Sequence, residues 1–163
     1  MGEGNTFIRV FVNGLMKDQR NSPVVLLKTE GGGEVLPIWI GHAEGLAIEL
    51  HMKGETFDRP LTHDLLKATL MTLGASVAKV AITELRDSTF FAKIYIKRDS
   101  EICVIDARPS DSIALALKMD APIFVSEEVF KTHKRFVDGG KQVKENTDED
   151  LRRYLEDLDP GDF

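Results

Sequence analysis

Cysteine is nearly absent: the 163 residues contain one, Cys103. That excludes a disulfide framework and a cysteine-based zinc centre. Set in an apolar strand pattern, the thiol is expected to be buried and inert. Long hydrophobic runs are missing too. No stretch approaches the roughly 20 apolar residues of a membrane span, and the opening MGEGNTFIRV lacks the basic-then-apolar order of a signal peptide. A cytoplasmic protein with no membrane contact is expected. Nor is there an excess of basic charge, the net charge being −6. RNA or DNA would have to be held by a local patch or through metal ions, because no general positive field exists to attract it. Asparagine and glutamine are scarce, at four and two, beside plentiful Glu and Lys, a balance that leans toward a thermophile.

What is present suits one compact core with an added terminal element. Phe7, Arg9 and Phe11 alternate with Ile8, Val10 and Val12, the period of a strand. Two apolar runs, PVVLL and EVLPIWI, flank Gly31–Gly33 and predict a β-hairpin. A helix is expected from His42 to Met52, with Ala43, Leu46, Ala47 and Leu50 as its apolar stripe and Gly54 as its stop. A second is expected from Thr62 to Leu73, with Leu65, Leu66, Thr69, Leu70 and Leu73 inward and Gly74 ending it. The period then shortens. Val77–Thr83, Thr89–Lys97 and Glu101–Ala107, joined by two short RDS turns, predict an antiparallel three-strand meander. A helix from Ser110 to Lys118, a strand PIFV and a helical turn near Glu127–Lys131 follow. The fold class is α+β, an antiparallel or mixed sheet with helices packed on it. Residues 1–132 form the domain and 133–146 a polar linker. Residues 147–163 read as an amphipathic helix, with Leu151, Tyr154, Leu155 and Leu158 on one face, that docks on the body or a second subunit.

Two segments share a motif: RPLTHDLLKATL from Arg59 and RPSDSIALAL from Arg108. Each reads as a helix start. Thr62 and Ser110 are candidate N-caps, with Asp64 and Asp111 facing the positive helix end. Capping needs neither arginine, nor His63, nor Asp106. Arg59, His63 and Asp64 meet at one helix start, while Asp106, Arg108 and Asp111 meet at a strand-to-helix junction. Carboxylates and histidine can hold a divalent cation, and arginine can grip a phosphate with two parallel hydrogen bonds. Asp64, Asp106 and Asp111 are thus candidate ligands for magnesium or manganese, with Glu44 of IWIGHAEG as a fourth. His63 is a base or ligand, and Arg59 and Arg108 are phosphate clamps for metal-assisted phosphodiester hydrolysis. The competing reading is a structural ion-pair network, with Arg108 bound to Asp111 or Asp64.

The solvent face of the meander offers a separate surface. Lys93, Tyr95 and Lys97, with Phe91 and Lys79 nearby, interleave cations and aromatics as a single-strand binding face would. A solvated sheet face or a subunit contact uses the same pattern.

Taken together, PVVLL…LPIWIG…E, RPLTHDLL and DARPSDSIALAL…APIFV closely resemble the bifunctional nuclease domain family, over roughly residues 10 to 130. The resemblance implies a nuclease acting on RNA and DNA, as described for plant members, and a homodimer or larger homo-oligomer. The alternative is a non-catalytic oligomeric module that binds a small anion or a protein partner.

Overall fold

The computed structural model describes residues 6–136. Its elements, in order, are β1 (Phe7–Lys17), β2 (Pro23–Thr29), β3 (Glu34–Trp39), α1 (His42–Met52), α2 (Thr62–Thr72), β4 (Ala75–Arg86), β5 (Thr89–Arg98), β6 (Glu101–Ala107), α3 (Pro109–Met119), β7 (Ile123–Ser126), α4 (Glu127–His133) and β8 (Arg135–Phe136). The strands form one mixed sheet in the order β6-β5-β4-β7-β1-β2-β3-β8. The expected hairpin is present as β2–β3 and the expected meander as β4–β5–β6. The short β7 runs parallel to β4 and antiparallel to β1, and so joins two antiparallel halves. The class is α+β.

Alternation decides which side chains face the helices. Ile8, Val10 and Val12 of β1 and Ala92, Ile94 and Ile96 of β5 enter the main core. There they meet Ile48 of α1, Ile113 and Leu115 of α3, and Val129 and Phe130 of α4. Their neighbours Phe7, Arg9 and Phe11, and Lys93, Tyr95 and Lys97, take the opposite face, on which no helix packs among the described residues. The two RDS turns bend through left-handed backbone at Asp87, Ser88 and Asp99. Gly54 and Gly74 follow α1 and α2 at φ near +70°, so both expected stops hold.

Several expectations are corrected. Helix α1 buries Gly45 and Ile48 instead of the stripe through Leu46. Gly45 is needed because α1 crosses β2 so closely that a β-carbon would lie 2.8 Å from Pro23. Helix α2 is rotated: Leu65, Leu66, Thr69 and Leu73, expected inward, are exposed, and His63 and Lys67 turn inward with Leu70, which faces the core as expected. Those three positions also have helical spacing, so polar contacts with α3 and one leucine set the rotation. Cys103 is exposed, because β6 is the sheet edge and α3 lies over β4 and β5 instead. Thr62 and Ser110 are not N-caps. Leu61 and Arg108 hold those positions, and Pro109 takes the first helical place of α3. Residues 133–136, expected in a linker, include the last residue of α4 and β8, which pairs with β3. The rest of that linker and the expected helix at 147–163 lie outside the described residues.

Candidate functional site

Three helix starts meet at one groove. Helix α1 leaves β3 and presents Glu44. Helix α3 leaves β6 and presents Arg108 and Asp111, and α2 lays its first turn across α3 with His63 and Asp64. Arg108 donates from Nε to Asp111 Oδ2 at 2.8 Å and from Nη1 to Glu44 Oε1 at 2.9 Å. His63 Nε2 lies 3.0 Å from Asp111 Oδ1, so with the proton on Nε2 that carboxylate accepts from both partners. Asp64 turns the other way. Its Oδ1 receives Lys118 Nζ at 2.5 Å and its Oδ2 the backbone N–H of Leu61 at 3.0 Å, which caps α2. Lys67 Nζ donates to the Lys118 carbonyl at 2.9 Å and completes the α2–α3 joint.

Electrostatics follow these contacts. Burial pushes the Asp111 carboxyl up, but hydrogen bonds from Arg108 and His63 outweigh it and hold the group below the usual carboxylate range. The same pairing, Asp111 first and Glu44 second, raises Arg108. Lys118 holds Asp64 low. Burial lowers His51, which lines the same groove, and the nearby charges of Lys118 and Lys67 add to that. His63 Nδ1 makes no hydrogen bond among the described residues, and no unpartnered polar side-chain atom there is sealed from solvent, so Nδ1 faces solvent.

The structure therefore gathers Glu44, His63, Arg108 and Asp111, with Asp64 on the flank. It does not gather the rest. Arg59 is exposed in the segment before α2 and touches none of them. Asp106 is exposed on β6 opposite Lys93 of β5, on the face away from the helices. Among the described residues, no group of three or more His, Cys, Asp or Glu side chains stands close enough to hold a metal ion. Glu44 and Asp111 instead close on a guanidinium, and Asp64 on an ammonium. Lys118 was missed in sequence; its signal was a base in the last turn of α3, seven residues after Asp111 on the same helix face.

The opposite sheet face carries the other candidates. Lys79 Nζ lies 4.6 Å from the Tyr95 ring centroid, 5.7 Å from Phe124 and 5.9 Å from Phe7, and Arg9 stacks on Phe11 at 5.2 Å. Lys93 and Lys97 extend this basic and aromatic surface, on which Asp106 and Glu84 are the acids.

The bifunctional nuclease domain matches residues 25–138, which include the whole groove. The chain belongs to that family. An uncharacterised protein of Mycobacterium tuberculosis is 37% identical over 94% of this chain and 96% of its own length. Bifunctional nuclease 2 of Arabidopsis thaliana is 28% identical over 83% of this chain, which spans 43% of that protein. Bifunctional nuclease 1 of the same plant is 27% identical, over 78% of this chain and 41% of that protein. The bifunctional nuclease domain here therefore corresponds to a part of each plant relative. No helix among its described residues is long and apolar enough to cross a membrane.

Proposed function

We propose that this bifunctional nuclease domain hydrolyses phosphodiester bonds of RNA or DNA at the groove where His63, Asp111, Arg108 and Glu44 meet. The observation that carries the proposal is the unbroken hydrogen-bonded chain from His63 through Asp111 and Arg108 to Glu44, which joins three helices at a solvent-open groove of about 850 Å³. Asp111 fixes the His63 ring, leaving Nδ1 to take a proton from water. The water oxygen forms the new bond to phosphorus, the bond to the leaving sugar oxygen breaks, and that oxygen takes a proton from solvent. Arg108, with a side chain 64% exposed, offers its remaining N–H groups to the non-bridging oxygens as charge builds. Glu44 positions Arg108, and Asp64 sets the start of α2. Arg59 meets a flanking phosphate, and Lys93, Tyr95 and Lys97 hold a more distant part of the strand, with Asp106 limiting the positive field there. As they stand, Glu44 and Asp111 fit the guanidinium and not a metal ion. Magnesium or manganese would need Arg108 turned out to solvent.

Cleavage of labelled single-stranded RNA and DNA, with magnesium, with manganese and with chelator, tests this. Folded His63→Ala and Arg108→Ala variants are expected to lose on the order of a hundredfold or more in rate. Lys93→Ala with Lys97→Ala should raise KM and leave kcat. Full activity in both groove variants overturns the proposal. Cleavage that stops with chelator would mean that a metal displaces Arg108.

A second reading, association of copies of this chain, is favoured by one observation. Edge strand β6 exposes Ile102, Val104 and Ile105 while α2 exposes Leu65, Met71 and Leu73. A homo-oligomer covers these surfaces, and light scattering on the full chain reads its size.

A further inference from the structure

A further cavity, of about 630 Å³, shares Arg108 with the groove. It is walled by the end of β3, the start of α1, the β4–β5 turn and the first turn of α3. Its chemistry is unlike the rest of this acidic chain. Two arginines, Arg20 and Arg108, and four hydroxyl residues, Ser22, Ser88, Thr89 and Ser110, line it, and among the described residues no carboxylate does. The acids that hold Arg108, Glu44 and Asp111, belong to the lining of the groove instead. Asp18, which is bonded by the Trp39 indole N–H and two backbone N–H groups, also interacts electrostatically with Arg20.

Ser110 points to a ligand. The residue is 6% exposed, yet its hydroxyl makes no hydrogen bond with any described residue. Because no unpartnered polar side-chain atom among the described residues is sealed from solvent, solvent still reaches the hydroxyl of Ser110, a residue of the cavity wall. Its backbone N–H, in the first turn of α3, has no acceptor among the described residues either, and Arg108, the N-cap, makes no side-chain cap bond. A nearly buried hydroxyl, an open helix N-terminus and two guanidinium groups around a void with no carboxylate in its described lining fit a phosphate group. Trp39 and Phe90 give the same cavity an aromatic wall, of the kind on which a base lies. The volume is within the range of small-ligand sites.

We propose that this cavity binds a nucleotide, with its phosphate held by Ser110, Arg20, Arg108 and the first turn of α3, and its base against Trp39. This deepens the nuclease reading, since Arg108 would then touch both the scissile phosphate and the phosphate of the neighbouring nucleotide. Binding and turnover nevertheless fail separately. Trp39 is the single tryptophan, so its fluorescence reports occupancy directly. The full chain is titrated with adenosine monophosphate, with inorganic phosphate and with adenosine. The monophosphate is expected to change Trp39 emission, phosphate to compete with it, and adenosine to bind at least tenfold more weakly. Arg20→Ala and Ser110→Ala should each weaken the monophosphate roughly tenfold or more, while Lys131→Ala, on α4 and paired with Glu127, leaves it unchanged. Arg20 lies in an exposed turn, so its variant serves if Ser110→Ala fails to fold. Equal binding of adenosine and the monophosphate, no competition by phosphate, or an unaffected Arg20→Ala overturns the site, whether or not the protein cleaves nucleic acid.

Discussion

The two Arg-Pro segments begin alike and end in opposite environments. Helix α3 buries Ser110, Ser112 and the whole run from Ile113 to Ala116 at the centre of the helix layer. Helix α2 buries His63 alone and turns Leu65, Leu66, Met71 and Leu73 to solvent. One motif thus builds a core helix and a peripheral one that grips it through polar contacts. The grip spans two turns of α3: Asp111 holds His63, and Lys118 holds Asp64. The repeated motif is not a structural repeat. Its halves act on each other.

The sharpest way to break this comparison is to truncate one leucine on each helix. Leu115→Ala, fully buried, is expected to lose roughly 2–5 kcal/mol in denaturant unfolding. Leu65→Ala in the isolated subunit should stay within about 0.5 kcal/mol. A Leu65 effect as large as that of Leu115, and dependent on protein concentration, would show that α2 is core in an assembly.

A smaller effect comes from acid. Burial, with Lys118 and Lys67, lowers His51 from 6.5, and burial lowers His133. Below 6.5 the unfolded chain therefore takes up protons more readily than the folded one, and stability falls until the folded histidines titrate. Asp64 and Asp111 are held below 3.8, so their contribution is present above 3.8 and is lost as pH falls through their folded values. Thermal unfolding across pH should show two successive losses. Asp64→Asn should flatten the second.

The smallest effect separates a capping carboxylate from an ordinary surface pair. Asp64→Ala removes the cap on Leu61 and the partner of Lys118, for about 1 kcal/mol. Glu49→Ala breaks the exposed Lys53 pair within α1 and should leave the melting curve unchanged. Equal effects would remove the special place given to Asp64.

Much of the fold was legible because periodicity is local. The alternation in β1 and β5, the RDS turns and the glycines after α1 and α2 each declare themselves within a few residues. Facing was not local. The rotation of α2 depends on Asp111 and Lys118, some fifty residues away and on another helix, so its apolar stripe pointed to the wrong side. The exposure of Cys103 depends on β6 being the last strand, which no residue of β6 encodes. For the site, residue types at Glu44, His63, Arg108 and Asp111 were legible, as was the ion-pair alternative for Arg108. The separation of Asp106 follows from alternation, since Ala107 enters the core and its neighbour must face away. Arg20 gave no signal of its own. Ser110 did, but as a cap.

The four-residue β7 has a consequence for how the chain reaches this state. Its backbone is shared between Val80–Ile82 on one side and Phe7–Val10 on the other. The N-terminal hairpin and the meander are each built from contacts close in sequence and can form early and separately. Neither can close the sheet. That step requires the chain to pass through α3, return, and slot Ile123–Ser126 between two surfaces already waiting. Assembly is therefore timed by a strand too short to stand alone, and α3, with Arg108 and Asp111, comes to rest in the same event that closes the sheet.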